Sequence, residues 1–180
     1  MTGSTGAHSS TVWLTGLSGA GKTSIAEALA QRVQQEGRQV YVLDGDRLRH
    51  GLNRDLGFAP EDRRENIRRA AEVARLMNDD GLLVIAAFIS PYREDRAMAA
   101  GIIGAARWFE VHVSTPLEVC EARDPKGLYA RARAGQIAGF TGISAPYEAP
   151  LEAALTLDTR GRTLASSVDQ LWRALQQHPA

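Results

Sequence analysis

The sequence predicts a three-layer α/β fold in which helices cover a mostly parallel five-stranded sheet. Two observations predict it. Short β-rich apolar runs alternate with longer segments of helical periodicity, the pattern of strands joined by helical crossovers. A glycine-rich run ending in lysine also stands between the first strand and the first helix, where such sheets bind phosphate. At 180 residues the chain can bury one substantial core and is short for two domains.

The strands fall at Thr11 to Thr15 (TVWLT), Gln39 to Leu43 (QVYVL), Leu82 to Ile89 (LLVIAAFI), Trp108 to Val113 (WFEVHV) and Ala154 to Leu157 (ALTL). Helices are expected near Lys22 to Gln35, Pro60 to Asp80, Arg93 to Ala106, Pro116 to Arg123, Lys126 to Ala134 and Leu164 to Gln176. Residues 1–10 are mostly Gly, Ser and Thr and read as a flexible lead-in to a single domain at 11–180. The stretch 135–150 is punctuated by Gly and Pro, and loops of that length in compact domains usually carry function or are disordered.

The 21 basic and 21 acidic residues cancel, so no excess charge points to nucleic acid or a membrane as partner. Cys120 is the one cysteine, which excludes an intrachain disulfide and fits the cytoplasm. The N-terminus lacks a signal peptide's basic and apolar regions, and no apolar run is long enough for a bilayer.

Gly16-Leu17-Ser18-Gly19-Ala20-Gly21-Lys22-Thr23 matches G-x-x-x-x-G-K-[ST] in the strand-to-helix setting the motif requires. The glycines let successive N–H groups turn toward phosphate oxygens, and the helix adds its positive end. Lys22 would reach the β- and γ-phosphates, and the Thr23 hydroxyl would ligate Mg²⁺. The bland alternative, a glycine turn that only caps a helix, leaves the agreement of all motif positions unexplained. Lys22 and Lys126 are the only lysines, against 19 arginines.

In open α/β sheets ligands bind beyond the carboxyl ends of the strands. The second strand delivers Asp44 and Asp46 there, and the third delivers Ile89, Ser90 and Pro91. The two carboxylates suit support of a metal's ligands from outside its coordination sphere or orientation of an attacking hydroxyl, or else one of them caps the next helix. Ser90 precedes a proline and reads equally as a turn former. In the helix after Pro60, Ile67, Ala70, Ala74 and Met77 form a core stripe, and Arg63 and Asn66 lie on it one turn earlier. An inward arginine needs an anion: a ligand, or Asp44 or Asp46. Arg64, Arg68 and Arg75 face solvent, where Glu65 to Arg69 and Arg68 to Glu72 are spaced for i,i+4 pairs. Phe58 and Phe140 lie beside glycines in surface segments and suit base stacking or edge packing.

Six ordered segments between Thr11 and Pro150 resemble those of the adenylylsulfate kinases, a family of P-loop kinases: GLSGAGKT, LDGDRLRHGLNRDLGF, DRRENIRR, FISPYREDR, PLEVCEARDPKGLYARARAG and FTGISAPYEAP. The resemblance implies a P-loop NTPase fold with ATP and Mg²⁺ on one side of a crevice and adenosine 5′-phosphosulfate on the other. The γ-phosphate would pass to the 3′-hydroxyl, giving 3′-phosphoadenosine 5′-phosphosulfate and ADP in sulfate activation. It implies that Gly16 through Thr23, Ser24 and Arg123 hold the nucleotide, and that Asp46 lies near the 3′-hydroxyl. Arg49, Arg63 and Asn66 would hold the phosphosulfate, with Phe58 and Phe140 sandwiching the adenine. Asp44, Ile89, Ser90, Pro91, Lys126, Gly127 and Leu128 complete the expected acceptor site. Lys22, Asp46 and Ser90 form the expected catalytic set, Ser90 matching a position considered for phosphorylation although in-line transfer needs no such step.

The family pattern also implies a lid around 123–150, a homodimer and a separate ATP sulfurylase partner. Gln136 and Ala138 depart from residues many relatives carry, a glutamate and a lysine, and the fifth strand and last helix match no motif. Two rivals are a small P-loop kinase for a nucleoside monophosphate, shikimate or gluconate, and a nucleotide-dependent switch. The first does not account for the paired phenylalanines with Arg63 and Asn66, and the chain has no N-K-x-D-like or D-x-x-G run for the second.

Overall fold

The computed structural model describes residues 9–178. Strands β1 (Thr11–Thr15), β2 (Val40–Asp44), β3 (Leu83–Ala87), β4 (Trp108–Val113) and β5 (Leu155–Leu157) form one sheet in the order β2-β3-β1-β4-β5. Every pairing is parallel, so the sheet is all-parallel rather than mostly so. The helices are α1 (Lys22–Gln35), α2 (Gly45–Arg49), α3 (Pro60–Asp79), α4 (Arg93–Ile103), α5 (Leu117–Arg123), α6 (Leu128–Arg133) and α7 (Leu164–Gln177).

A strand covered on both faces must be apolar on both, and β1 and β3 are buried at every position. Alternation then sorts their side chains into two cores. Val12, Leu14, Ile85 and Val111 pack with Ile25, Leu29 and Val33 of α1 and Leu171 and Leu175 of α7. Trp13, Val84 and Ala86 pack on the other face with Ile67, Ala70 and Ala74 of α3 and Ala99 and Ile103 of α4. Trp13 fills the second core, with Phe88 stacked on it and Trp108 tilted against it, each at a centroid distance of 5.1 Å.

Four local differences from the sequence reading have physical causes. Strand β3 stops at Ala87 rather than Ile89, because Ser90 turns the chain with a φ of 40°. Helix α4 stops at Ile103 rather than Ala106, since Gly104 takes a φ of 97° and a short 3₁₀ turn follows at Ala105–Arg107. Helix α2 has no counterpart among the expected helix ranges, although a cap at one of the two aspartates was among the alternatives; Asp44 starts it by accepting from the N–H groups of Asp46 and Arg47. Of the expected lead-in, residues 1–8 lie outside the described residues, whereas Ser10 is buried and its carbonyl accepts from Val84 N–H at 2.9 Å. Among the described residues no helix is long and apolar enough to cross a membrane.

Asn78, 1% exposed near the end of α3, ties the sheet's amino-terminal edge together. Its carbonyl accepts from Thr11 Oγ1 at 2.7 Å, and its amide donates to Ser10 O and Leu82 O at 3.0 Å each. Truncating it takes the acceptor from the buried Thr11 hydroxyl and one donor each from the Ser10 and Leu82 carbonyls. We expect Asn78→Ala to lower unfolding free energy by about 3 kcal/mol in urea titration with an unchanged m-value.

Candidate active site

The phosphate loop, residues 16–23, leaves β1 under the carboxyl ends of β3 and β4. Gly16 passes so close to β4 that a Cβ there would sit 2.5 Å from Val113 O. Gly21 enters α1 with a φ of 108°, which side-chain-bearing residues rarely adopt. A loop that aims its N–H groups at a phosphate turns its carbonyls into the protein, and buried carbonyls need donors.

Each is supplied. Lys22 Nζ donates to Gly16 O at 2.9 Å and to Leu17 O at 2.7 Å. Tyr129 Oη donates to Ser18 O at 2.8 Å, and Arg123 Nη1 to Gly19 O at 3.2 Å. Thr115 Oγ1 and Thr159 Oγ1 both donate to Ala20 O at 3.0 Å, and Arg123 also reaches Thr159 Oγ1 at 2.9 Å. Arg123 thus stands at the loop as expected. Tyr129, Thr115 and Thr159 were not anticipated, although the rule that sites form beyond strand ends reaches Thr115, after β4, and Thr159, after β5. Ser24 is exposed at the first turn of α1.

Lys22 is buried, and that burial pulls its pKa down from 10.5 to about 8, against the opposing charges of Asp46 and Asp44. The Thr23 hydroxyl donates to Asp44 Oδ2 at 3.0 Å. Asp44 therefore caps α2 with one oxygen and accepts from Thr23 with the other.

Across the crevice, Asp46 on α2 pairs with Lys126, which lies just before α6, both side chains being more than half exposed. The turn that carries Lys126 is fixed by Asp124, whose carboxylate accepts from Tyr129 and Ala130 N–H at 3.0 Å; Gly127 and Leu128 lie inside it. Arg63 meets neither Asp44 nor Asp46. Its guanidinium donates to Phe58 O at 2.9 Å, Gly139 O at 2.5 Å and Thr141 Oγ1 at 2.8 Å, bridging the two segments that bear the phenylalanines. Arg49 donates to Gly57 O at 2.9 Å and lies 4.2 Å over the Phe58 ring. Asn66, 6% exposed, accepts from Asn53 Nδ2 at 2.8 Å.

The two phenylalanines differ. Phe58 is 67% exposed, whereas Phe140 is 9% exposed and meets Tyr129 edge-on at 5.1 Å. Ser90 is 2% exposed; its hydroxyl accepts from Trp13 Nε1–H at 3.1 Å and donates to Phe88 O at 3.4 Å. Its carbonyl takes Arg96 Nη1 at 2.7 Å, so Ser90 is held at every polar atom it offers to this side. Ile89 and buried Pro91 flank it, their carbonyls accepting from Thr15 Oγ1 and Glu148 N–H at 2.8 Å each.

The lowered pKa of Lys22 gives a test. Below about pH 8 the lysine is charged in folded and unfolded chains alike, and burial disfavours the folded one. Between about 8 and 10.5 the folded chain has lost that proton while the unfolded chain keeps it. We expect the unliganded protein to gain stability across this window relative to Lys22→Met, measured by urea titration at stepped pH. Nucleotide affinity should fall over the same window, because a neutral amine offers phosphate no charge.

The family model for adenylylsulphate kinase matches residues 8–158. An adenylyl-sulfate kinase of Shewanella amazonensis is 58% identical over 160 residues, covering 89% of this chain and 81% of its own. One from Staphylococcus epidermidis is 52% identical over 173 residues, covering 96% and 87%. The solved APS kinase of Mycobacterium tuberculosis in complex with AMPPNP and APS has a TM-score of 0.91 and 48% identity, covering 94% of this chain and 99% of that one. With its phosphate loop and strand-end carboxylates arranged on the same fold, this chain belongs to the adenylylsulfate kinase family.

Proposed function

We propose that the chain transfers the γ-phosphate of ATP to the 3′-hydroxyl of adenosine 5′-phosphosulfate, with Asp46 as the residue that joins the two halves of the site. The observation that carries this is electrostatic. Asp46 is paired with Lys126 and acts as an opposing charge on both Lys22, at the nucleotide loop, and Arg49, on the acceptor side.

The oxygen donors Thr23 and Asp44 fit Mg²⁺, which keeps most of its water and needs only one or two protein groups beside the phosphates. When bound, Mg²⁺ neutralises developing charge on the transferring group. The loop amides cradle the phosphates, and Lys22 exchanges the carbonyls of Gly16 and Leu17 for phosphate oxygens. Asp46, once Lys126 turns to the substrate, accepts the 3′-hydroxyl proton while the 3′-oxygen bonds to phosphorus and the bond to the β-phosphate oxygen breaks.

On the acceptor side Arg49, Arg63 and Asn66 hold the phosphosulfate. Phe58 offers its open face to the adenine, and Phe140, packed against Tyr129, offers only an edge of the slot. Ile89, Pro91, Gly127 and Leu128 would wall the sugar. We assign Ser90 to the support of that wall, since its hydroxyl is committed to Trp13 and Phe88. The reading extends to a homodimer in the cytoplasm fed by a separate ATP sulfurylase.

ADP formation with adenosine 5′-phosphosulfate, AMP, shikimate and gluconate tests the acceptor. Turnover with the phosphosulfate alone is expected; comparable turnover with another would overturn the reading. Asp46→Asn should lower kcat by about 100-fold or more with little change in acceptor KM or Tm, because an amide keeps the shape but cannot take the proton. Asp44→Asn should keep the α2 cap and instead raise the Mg²⁺ concentration needed for half-maximal rate.

A further inference from the structure

We infer that Asn53 is a positioning residue for the acceptor: it locks the side-chain amide of Asn66 so that Asn66 offers the phosphosulfate an N–H donor rather than a carbonyl oxygen. This rests on the assignment of Asn66 to the phosphosulfate.

Asn53 lies in the turn between α2 and α3 and is 0% exposed. Its Nδ2 donates to Asn66 Oδ1 at 2.8 Å. An amide has one accepting and one donating end, so an Asn66 whose oxygen is taken can present only its nitrogen. That nitrogen has no hydrogen-bond partner among the described residues. It stands one helical turn after Arg63, on the same stripe of α3. Without the bond from Asn53, a half-turn about χ2 would bring the Asn66 oxygen forward, and an oxygen facing an anion repels it.

Asn53 itself cannot swing away. Its backbone N–H donates to Leu48 O at 2.8 Å, and its carbonyl accepts from Leu56 N–H at 3.1 Å. From α3, Arg69 donates to Leu52 O at 3.1 Å and grips both oxygens of Asp55 at 2.7 and 2.9 Å, closing on the residues either side of it. The same helix therefore carries the amide to be oriented and anchors the loop that orients it. Asn53 Oδ1 is buried without a partner, which disfavours the folded state. An apolar side chain of similar size would fill the space and remove that orphan, but it would leave the buried Asn66 Oδ1 without its donor. What the amide adds there is the single bond to Asn66.

The test is a double-mutant cycle read in KM. Asn53→Leu keeps the bulk and removes the donor; it should raise the KM for adenosine 5′-phosphosulfate about tenfold while leaving the KM for ATP unchanged. Asn66→Ala should raise the acceptor KM at least as much. The double variant should be no worse than Asn66→Ala, because Asn53 then has nothing to orient. If Asn66→Ala raises the acceptor KM and Asn53→Leu does not, the inference fails while the role of Asn66 stands. Additive effects would give Asn53 a separate structural role and also overturn it. No effect of Asn66→Ala removes the phosphosulfate assignment itself, and the inference with it. Should Asn53→Leu not fold, ¹⁵N-labelled wild-type protein decides. Adding the acceptor must then shift the Asn66 side-chain NH₂ signals, and unmoved signals overturn the proposal.

Discussion

Aiming a run of backbone N–H groups at a phosphate requires donors for the carbonyls on the other side of the same peptides, and that requirement organises half of this molecule. The carbonyls of Gly16 to Ala20 draw their partners from α1, α5, α6 and the segments after β4 and β5. The loop is therefore correct only when the strand order is correct, because Thr115 and Thr159 reach Ala20 from strands that neighbour one another at the sheet's far side. It also explains why Tyr129 is buried at 1% exposure. Its hydroxyl fastens α6 to Ser18.

The acceptor side is built by the opposite means. No backbone cradle exists there; long side chains from α2 and α3 rest on neutral carbonyls and a hydroxyl. Such bonds hold a guanidinium in place without cancelling its charge, so Arg63 and Arg49 remain available to an anion. The one contact that does cancel charge, Lys126 with Asp46, lies between exposed groups where water screens the attraction. It can open at little cost.

What could be read from the sequence followed from periodicity and motif. Strands β1 and β4 and helix α1 end where apolar alternation or the glycine motif ends, and their bounds match. The stripe buries Asn66, Ile67, Ala70 and Ala74 as expected while Arg63 is only half-buried, and the solvent-side pairs of Glu65 and Arg69 and of Arg68 and Glu72 form at 2.9 and 3.7 Å. What could not be read were partnerships set by tertiary distance. Phe58 and Phe140 look alike between glycines, yet one is open and the other packed on Tyr129. Ser90 looked chemical because of its position, while its hydroxyl is claimed by Trp13, 77 residues away. Asn53 lies inside a family-like segment and Asn78 on the core stripe of α3, but neither position says which partners a buried amide binds, since those are set by what surrounds it. Helix α2, five residues long, is too short for periodicity to register.

The two lysines fit the same division. Arginine's planar fork suits bonds that stay made, and Arg63, Arg96 and Arg123 each hold two or more fixed acceptors. Lysine is a compact charge on a flexible stem, suited to leaving one partner for another. Lys22 rests on the loop carbonyls of Gly16 and Leu17, and Lys126 rests on the Asp46 carboxylate. In both places the partner holds the cation only weakly. A carbonyl carries only a partial charge, and an exposed carboxylate is screened by water. The chain thus places its only lysines in contacts that exchange readily, and uses arginine for bonds that stay made.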